Sequence, residues 1–118
     1  MGHVPFNFQF RHMAINCDDK EQADSVAKEF CDLFGFSFSQ GSKSNFSDPE
    51  IEIMFKRGRG YHGHIAVGVD DIEATEVYFR QQGHPFIIES ALYDAAGKMI
   101  CVYIDGDFGG FAVHLLKN

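Results

Sequence analysis

The sequence predicts an α+β fold made of two βαβββ repeats, and three observations carry that expectation. The stretch "HMAINCDDKE" at 12–21 returns as "HIAVGVDDIE" at 64–73, with five of ten positions identical. Each copy passes from a two-residue apolar period to steps of three and four, and then back to a period of two in three short runs. With 118 residues the chain is one domain, too small for two independent cores, so the halves are expected to share one.

The elements follow in order. Residues 1–9 form an arm, repeat one covers about 10–58 and repeat two about 61–117. In the arm and just after it, Val4, Phe6, Phe8 and Phe10 alternate with polar residues or Pro. Such a segment suits the edge of its own sheet or of a partner's. An uncovered apolar edge invites pairing, which makes a homodimer the expectation.

In the first strand Met13, Ile15 and Cys17 alternate with His12, Ala14 and Asn16. Asp18 with Glu21 then supplies a helix N-cap and its reciprocal carboxylate. Ala23, Val26, Ala27, Phe30, Leu33 and Phe34 recur at helical steps, and Gly35 stops the helix. The second copy repeats the plan with Ile65, Val67 and Val69, an Asp70 and Glu73 cap, Ala74, Val77 and Tyr78, and a stop at Gly83. "FSFSQG", a piece near Phe46 and "EIEIMFK" complete the first half; "PFIIES", "KMICVYID" and "FAVHLLK" complete the second.

Composition removes several classes of function. A 45% hydrophobic content with thirteen Phe marks a folded chain. The net charge is -7 and the only basic run is "KRGRG" at 56–60, so nothing tracks a phosphate backbone and nucleic acid is not an expected partner. Cys17, Cys31 and Cys101 cannot all pair and share no metal spacing; they read as reduced, buried thiols of a cytoplasmic protein. No stretch suits a membrane span or a leader, so no membrane partner is expected.

Residues two apart on a strand share a face. Sorted so, His12, Ala14 and Asn16 oppose the bulky residues of their strand, and His64, Ala66 and Gly68 do the same in theirs. In "IEIMF" Glu52 and Met54 lie opposite Ile51, Ile53 and Phe55; in "FAVHLL" Ala112, His114 and Leu116 lie opposite Phe111, Val113 and Leu115. The bulky faces belong under the two helices, so the opposite faces bound a cavity that His12, Glu52, His64 and His114 enter.

Three imidazoles and a carboxylate are costly to enclose unless satisfied. Hydrogen bonds satisfy them singly; a divalent ion, Zn, Ni, Co, Mn or Fe, satisfies all four at once. Arg57 and Arg59 follow the Glu52 strand and are candidates to bind a substrate carboxylate or phosphate at the rim, or to form a solvated turn. Tyr103 and Cys101 share a face that lines either the cavity or the core. His62 is assigned to the strand face of His64 in a supporting role, and His3 and His84 to the surface.

The chain resembles the glyoxalase, or vicinal oxygen chelate, superfamily, which also holds bleomycin-resistance proteins and dioxygenases. The likeness covers about residues 10–117 and rests on "HMAINC", "HIAVGV", the Asp-capped helices, "EIEIMF" and "DGDFGGFAVHLL". It implies a cupped mixed sheet with the helices on its outer face. It also implies a metal held by His12, Glu52, His64 and His114, with Glu52 or His114 as the proton-transferring catalytic group. Where this chain has His114 the family usually has Glu, so the ligand is kept while standard glyoxalase chemistry is not implied. The run from "INCDDKEQ" to "GGFAVHLL" is similar to the glyoxalase-like domain attached to some bacterial 2-keto-3-deoxy-6-phosphogluconate aldolases. The resemblance implies a lyase, isomerase or epimerase acting on a hydroxy- or keto-acid-like small molecule through a metal-stabilised enolate, or else a binding or accessory module of the same fold without turnover.

Overall fold

The computed structural model describes residues 4–118. The first half runs β1 (Gln9–Asn16), α1 (Lys20–Phe34), β2 (Phe38–Gln40), β3 (Ser44–Ser47) and β4 (Ile51–Met54). The second runs β5 (Gly63–Val69), α2 (Ile72–Gln81), β6 (Phe86–Tyr93), β7 (Met99–Ile104) and β8 (Phe111–Lys117). All eight strands form one mixed sheet in the order β2-β3-β4-β1-β5-β8-β7-β6. β1 and β5 meet antiparallel at the centre, and each is flanked by a parallel strand, β4 and β8 respectively. Each half therefore starts in the middle of the sheet, crosses by its helix to the outer edge and works back inward, and the sheet curls into an open cup.

The doubled aspartates divide their labour, which corrects the caps expected at Asp18 and Asp70. In both copies the N-cap is the second residue: Asp19 accepts from the Gln22 amide at 2.8 Å and Asp71 from the Ala74 amide at 3.0 Å. The first residue is engaged elsewhere. Asp18 takes the Arg57 guanidinium just beyond β4 at 2.9 Å, and Asp70 takes the Asn118 side chain just beyond β8 at 2.9 Å. One Asp of each pair fixes the helix start, and the other ties that start to the end of the last strand of its half. Gly35 ends α1 in the left-handed conformation, its amide donating to the Cys31 carbonyl.

The halves pack two apolar clusters rather than the single core expected from length. Cys17, Ala23, Ala27 and Ile53 are buried under α1, with Val26, Phe30, Ile51 and Phe55 around them. Val69, Ile72, Phe86, Met99, Val102 and Leu115 form the cluster of the second half. The cupped sheet keeps the helices apart, so the continuous sheet, not shared side chains, joins the halves. No helix among the described residues is long and apolar enough to cross a membrane.

The described part of the arm lies against its own chain. Phe6 and Phe8 pack on the second cluster, their rings 5.6 Å from Tyr78 and 5.8 Å from Phe79. A bulge in β1 makes this compatible with the site. Phe10 pairs with Val67 but His12 with Ala66, which leaves Arg11 as the extra residue. By parity alone Phe10 and His12 would share a face; the bulge resets the phase, and His12 turns into the cup.

Candidate metal centre

The register of the sheet makes the four cup-facing residues pairwise equivalent. Ala14 pairs with Glu52 and Ala66 with His114; across the central seam His12 pairs with Ala66 and Ala14 with His64. A pseudo-two-fold relation thus exchanges His12 with His64, Ala14 with Ala66, and Glu52 with His114. Both alanines are fully buried, and their small side chains leave room above the sheet for three imidazole rings.

Ligand atoms of His12, His64 and His114 all lie within 4.8 Å of one another. Glu52 closes the group, its Oε1 standing 3.3 Å from Nε2 of His12 and 3.3 Å from Nε2 of His64. Ser44 on β3 donates to the other oxygen, Oε2, at 2.7 Å. The side chains of His12, His64 and Glu52 are 16%, 9% and 15% exposed, so the group is sheltered yet open to small solutes.

The electrostatics suit a cation. Burial works to raise the Glu52 carboxyl, but hydrogen bonds from His12, His64 and Ser44 outweigh it and hold the group well below the usual carboxylate range. His114 is pushed down to about 4, chiefly by burial, with His64 and His12 adding to the effect while the Leu115 carbonyl opposes it. Its Nδ1 lies 3.1 Å from that carbonyl and 3.3 Å from Cys101 Sγ. With the proton on Nδ1 donated to Leu115, Nε2 carries the lone pair, the tautomer in which a histidine ligates metal. A fixed carboxylate and converging imidazoles form a donor set that fits a divalent transition ion.

The metal-free protein is expected to lose stability as pH falls from about 6.5 to about 4. In that window the unfolded chain protonates this histidine while the folded chain resists, so the His114 contribution, on the order of 3 kcal/mol when complete, is present above it and lost on acidification. Urea unfolding of chelator-treated protein across this range checks it, and His114→Gln should flatten the slope. An unchanged slope in the variant would exclude His114 as the source.

Tyr103 reaches the cluster from β7, its ring 4.9 Å from that of His114 and 6.1 Å from that of His64. Burial, with Cys101 and Glu52 adding, raises its hydroxyl to about 12 against the lowering effect of Arg59. Arg59 stacks over the Tyr103 ring at 5.2 Å. Arg57 instead pairs with Asp18 and donates to the Tyr61 carbonyl at 3.2 Å. His62 precedes β5 rather than sharing its face, because the strand starts at Gly63; its ring lies beside Tyr61 and Phe111. His84 is exposed, and His3 lies outside the described residues.

Two contributors escape the sequence. Ser44 reaches Glu52 only because β3 pairs antiparallel with β4, a register that the short run near Phe46 does not reveal. Asn16 clamps the linker between the halves, donating to the Gly60 carbonyl at 2.9 Å and accepting from the Gly58 amide at 3.2 Å. Its place on the cup face was the available signal.

Two βαβββ halves joined antiparallel through their first strands, with a cup between them, make the vicinal oxygen chelate fold, and solved structures of that fold match this chain. A methylmalonyl-CoA epimerase from Mycobacterium tuberculosis matches with a TM-score of 0.66 and 19% identity, over 92% of this chain and 86% of that one. A second methylmalonyl-CoA epimerase structure matches at 0.66 and 18% identity, over 98% of each chain. A hypothetical protein, BH1468 from Bacillus halodurans C-125, matches at 0.66 and 15%, over 95% of each. No family model matches the sequence, and no curated protein does.

Proposed function

We propose that this chain is a small metal-dependent isomerase, epimerase or lyase that moves a proton on a carbon beside a carbonyl or carboxyl group of a hydroxy- or keto-acid-like small molecule. The observation that carries the reading is the convergence of three imidazoles and one ionised carboxylate, each from a different strand, on one sheltered point. His12, His64, His114 and Glu52 would hold the ion. When bound, it supplies a Lewis acid beside a substrate oxygen where negative charge develops.

The chain's own groups supply the rest. Leu115 fixes the ring of His114 through Nδ1, and Ser44 fixes the carboxylate of Glu52. Glu52 and His114 occupy equivalent positions on opposite halves, so they approach the cup from opposite sides and are the candidates to hold or move the proton. Only one of them is free to do so while the other stays a ligand. Tyr103, a neutral phenol at working pH, can donate a hydrogen bond to a bound oxygen.

Two of the fold neighbours are methylmalonyl-CoA epimerases. Epimerisation is removal and return of a proton at one carbon, which this set of groups suits. The sequence resemblance to the aldolase-attached domain, which the solved structures do not bear on, would imply an acid ligand.

The test is proton exchange. Protein loaded in turn with Zn, Ni, Co, Mn and Fe is incubated in deuterium oxide with a panel of 2-keto and 2-hydroxy acids, and loss of the carbon-bound proton is followed by NMR. Exchange is expected with at least one ion and is expected to vanish in the His12→Ala, His114→Ala double variant. Uptake of metal without exchange of any panel member would favour the binding module over the enzyme.

A further inference from the structure

We infer that Arg59 is the carboxylate anchor of the cleft beside the histidine cluster, and that this cleft selects a small acid with one carboxylate rather than a thioester on a polyphosphate carrier. The inference rests on the proposed reading of the cluster as the reaction centre and adds the residue that anchors the acid and the class of ligand that the cleft rejects.

A cleft of about 500 Å³ opens next to the cluster, lined among others by Arg59, Tyr103, Asp105, Asp107, Phe111 and Ala112. Tyr103 is the shared wall: its ring touches the His114 side of the cluster and carries the Arg59 guanidinium on it. The cation and the centre are neighbours of the same ring, the guanidinium 5.2 Å and the His114 ring 4.9 Å from it, so the cleft holds a positive charge close to the cluster.

The two arginines of the linker differ in what remains available. Arg57 already has a carboxylate, Asp18, and a carbonyl. Among the described residues Arg59 makes no ion pair. Stacking on an aromatic ring holds a guanidinium in orientation while its N–H edge stays open for a bidentate carboxylate. Asn16 fixes the linker on which it sits.

Charge sets the class. Asp105 and Asp107 line the same cleft, and the chain carries a net -7. The two aspartates already outnumber Arg59, so each further anionic charge is opposed; one carboxylate is met by a bidentate guanidinium, whereas several phosphates would have no second cation, and such like-charge contact is how a site rejects the wrong ligand.

Binding decides it. Pyruvate, lactate, pyruvamide and coenzyme A are titrated calorimetrically into wild type, Arg59→Gln, Arg59→Lys and Arg57→Gln, each loaded with the ion that wild type takes up and each assayed for metal content. Wild type is expected to bind pyruvate or lactate and not coenzyme A. Arg59→Gln should weaken the acid about tenfold or more, Arg59→Lys less, and Arg57→Gln within about twofold, while pyruvamide shows no dependence on Arg59. Equal pyruvate affinity in wild type and Arg59→Gln, binding of neither acid, or tighter binding of coenzyme A than of either acid would overturn the inference. Metal content is a separate readout. If no ion is taken up, the reading of the cluster fails, and the same titrations on metal-free protein still decide the role of Arg59.

Discussion

Addition of the preferred divalent ion to metal-free protein is expected to raise its melting temperature by roughly 10 °C, and the His12→Ala, His114→Ala double variant should show no shift. The reasoning is linkage. An ion that binds only the folded chain, present at a hundred times its dissociation constant, stabilises by about 2.7 kcal/mol, and a domain of this size gains roughly 4 °C per kcal/mol. The four residues that would hold it sit on β1, β4, β5 and β8, far apart in sequence, so the unfolded chain offers an ion no comparable site. Elemental analysis should find about one ion per chain in wild type and none in the double variant. Ser44→Ala removes only the hydrogen bond that orients Glu52 and should weaken metal affinity about tenfold, at the mild end for groups that position a ligand. An equal thermal shift in wild type and double variant would place the ion elsewhere and end the four-residue reading.

The cup face was legible in the sequence because strand parity is strict: a His or Glu opposite Ile51, Ile53 and Val113 must point away from the helices. The repeat was legible because the pseudo-symmetry writes each half with the same letters, His12 with His64 and Ala14 with Ala66. It could not announce that Glu52 and His114 are partners, since they differ in type; only the pairing of each with its own alanine shows it.

What escaped depended on distant partners. Asp18 and Asp70 fit the local cap pattern, yet Arg57 and Asn118, 39 and 48 residues away, claim them. The bulge at Arg11 left no mark in an arm whose alternation continues through Phe10 into His12. Arg57 and Arg59 are indistinguishable as letters in "KRGRG", and they separate only when one meets Asp18 and the other Tyr103.

Replacement of Gly63 by Ala is expected to cost more than about 4 kcal/mol, a large share of the stability of a domain of this size. Gly63 opens β5 at φ 151° and faces Ile15 across the central seam. A Cβ there would fall 1.8 Å from the Ala14 carbonyl oxygen and 2.8 Å from its carbon. These are backbone atoms of the strand that pairs with Glu52 on one side and His64 on the other, so relief requires β1 and β5 to part. Gly97→Ala is the control for backbone strain alone: its φ is +82° but nothing lies within 4 Å of the added carbon. That change should cost only about 1–2 kcal/mol, the ordinary penalty of a left-handed side chain. Urea unfolding of the two variants beside wild type measures the difference, and metal uptake by Gly63→Ala should fall with its fold because His64 is the next residue. Equal stability of the two variants would mean that β1 and β5 do not approach this closely, and the convergence of His12, Glu52, His64 and His114 would lose its structural basis.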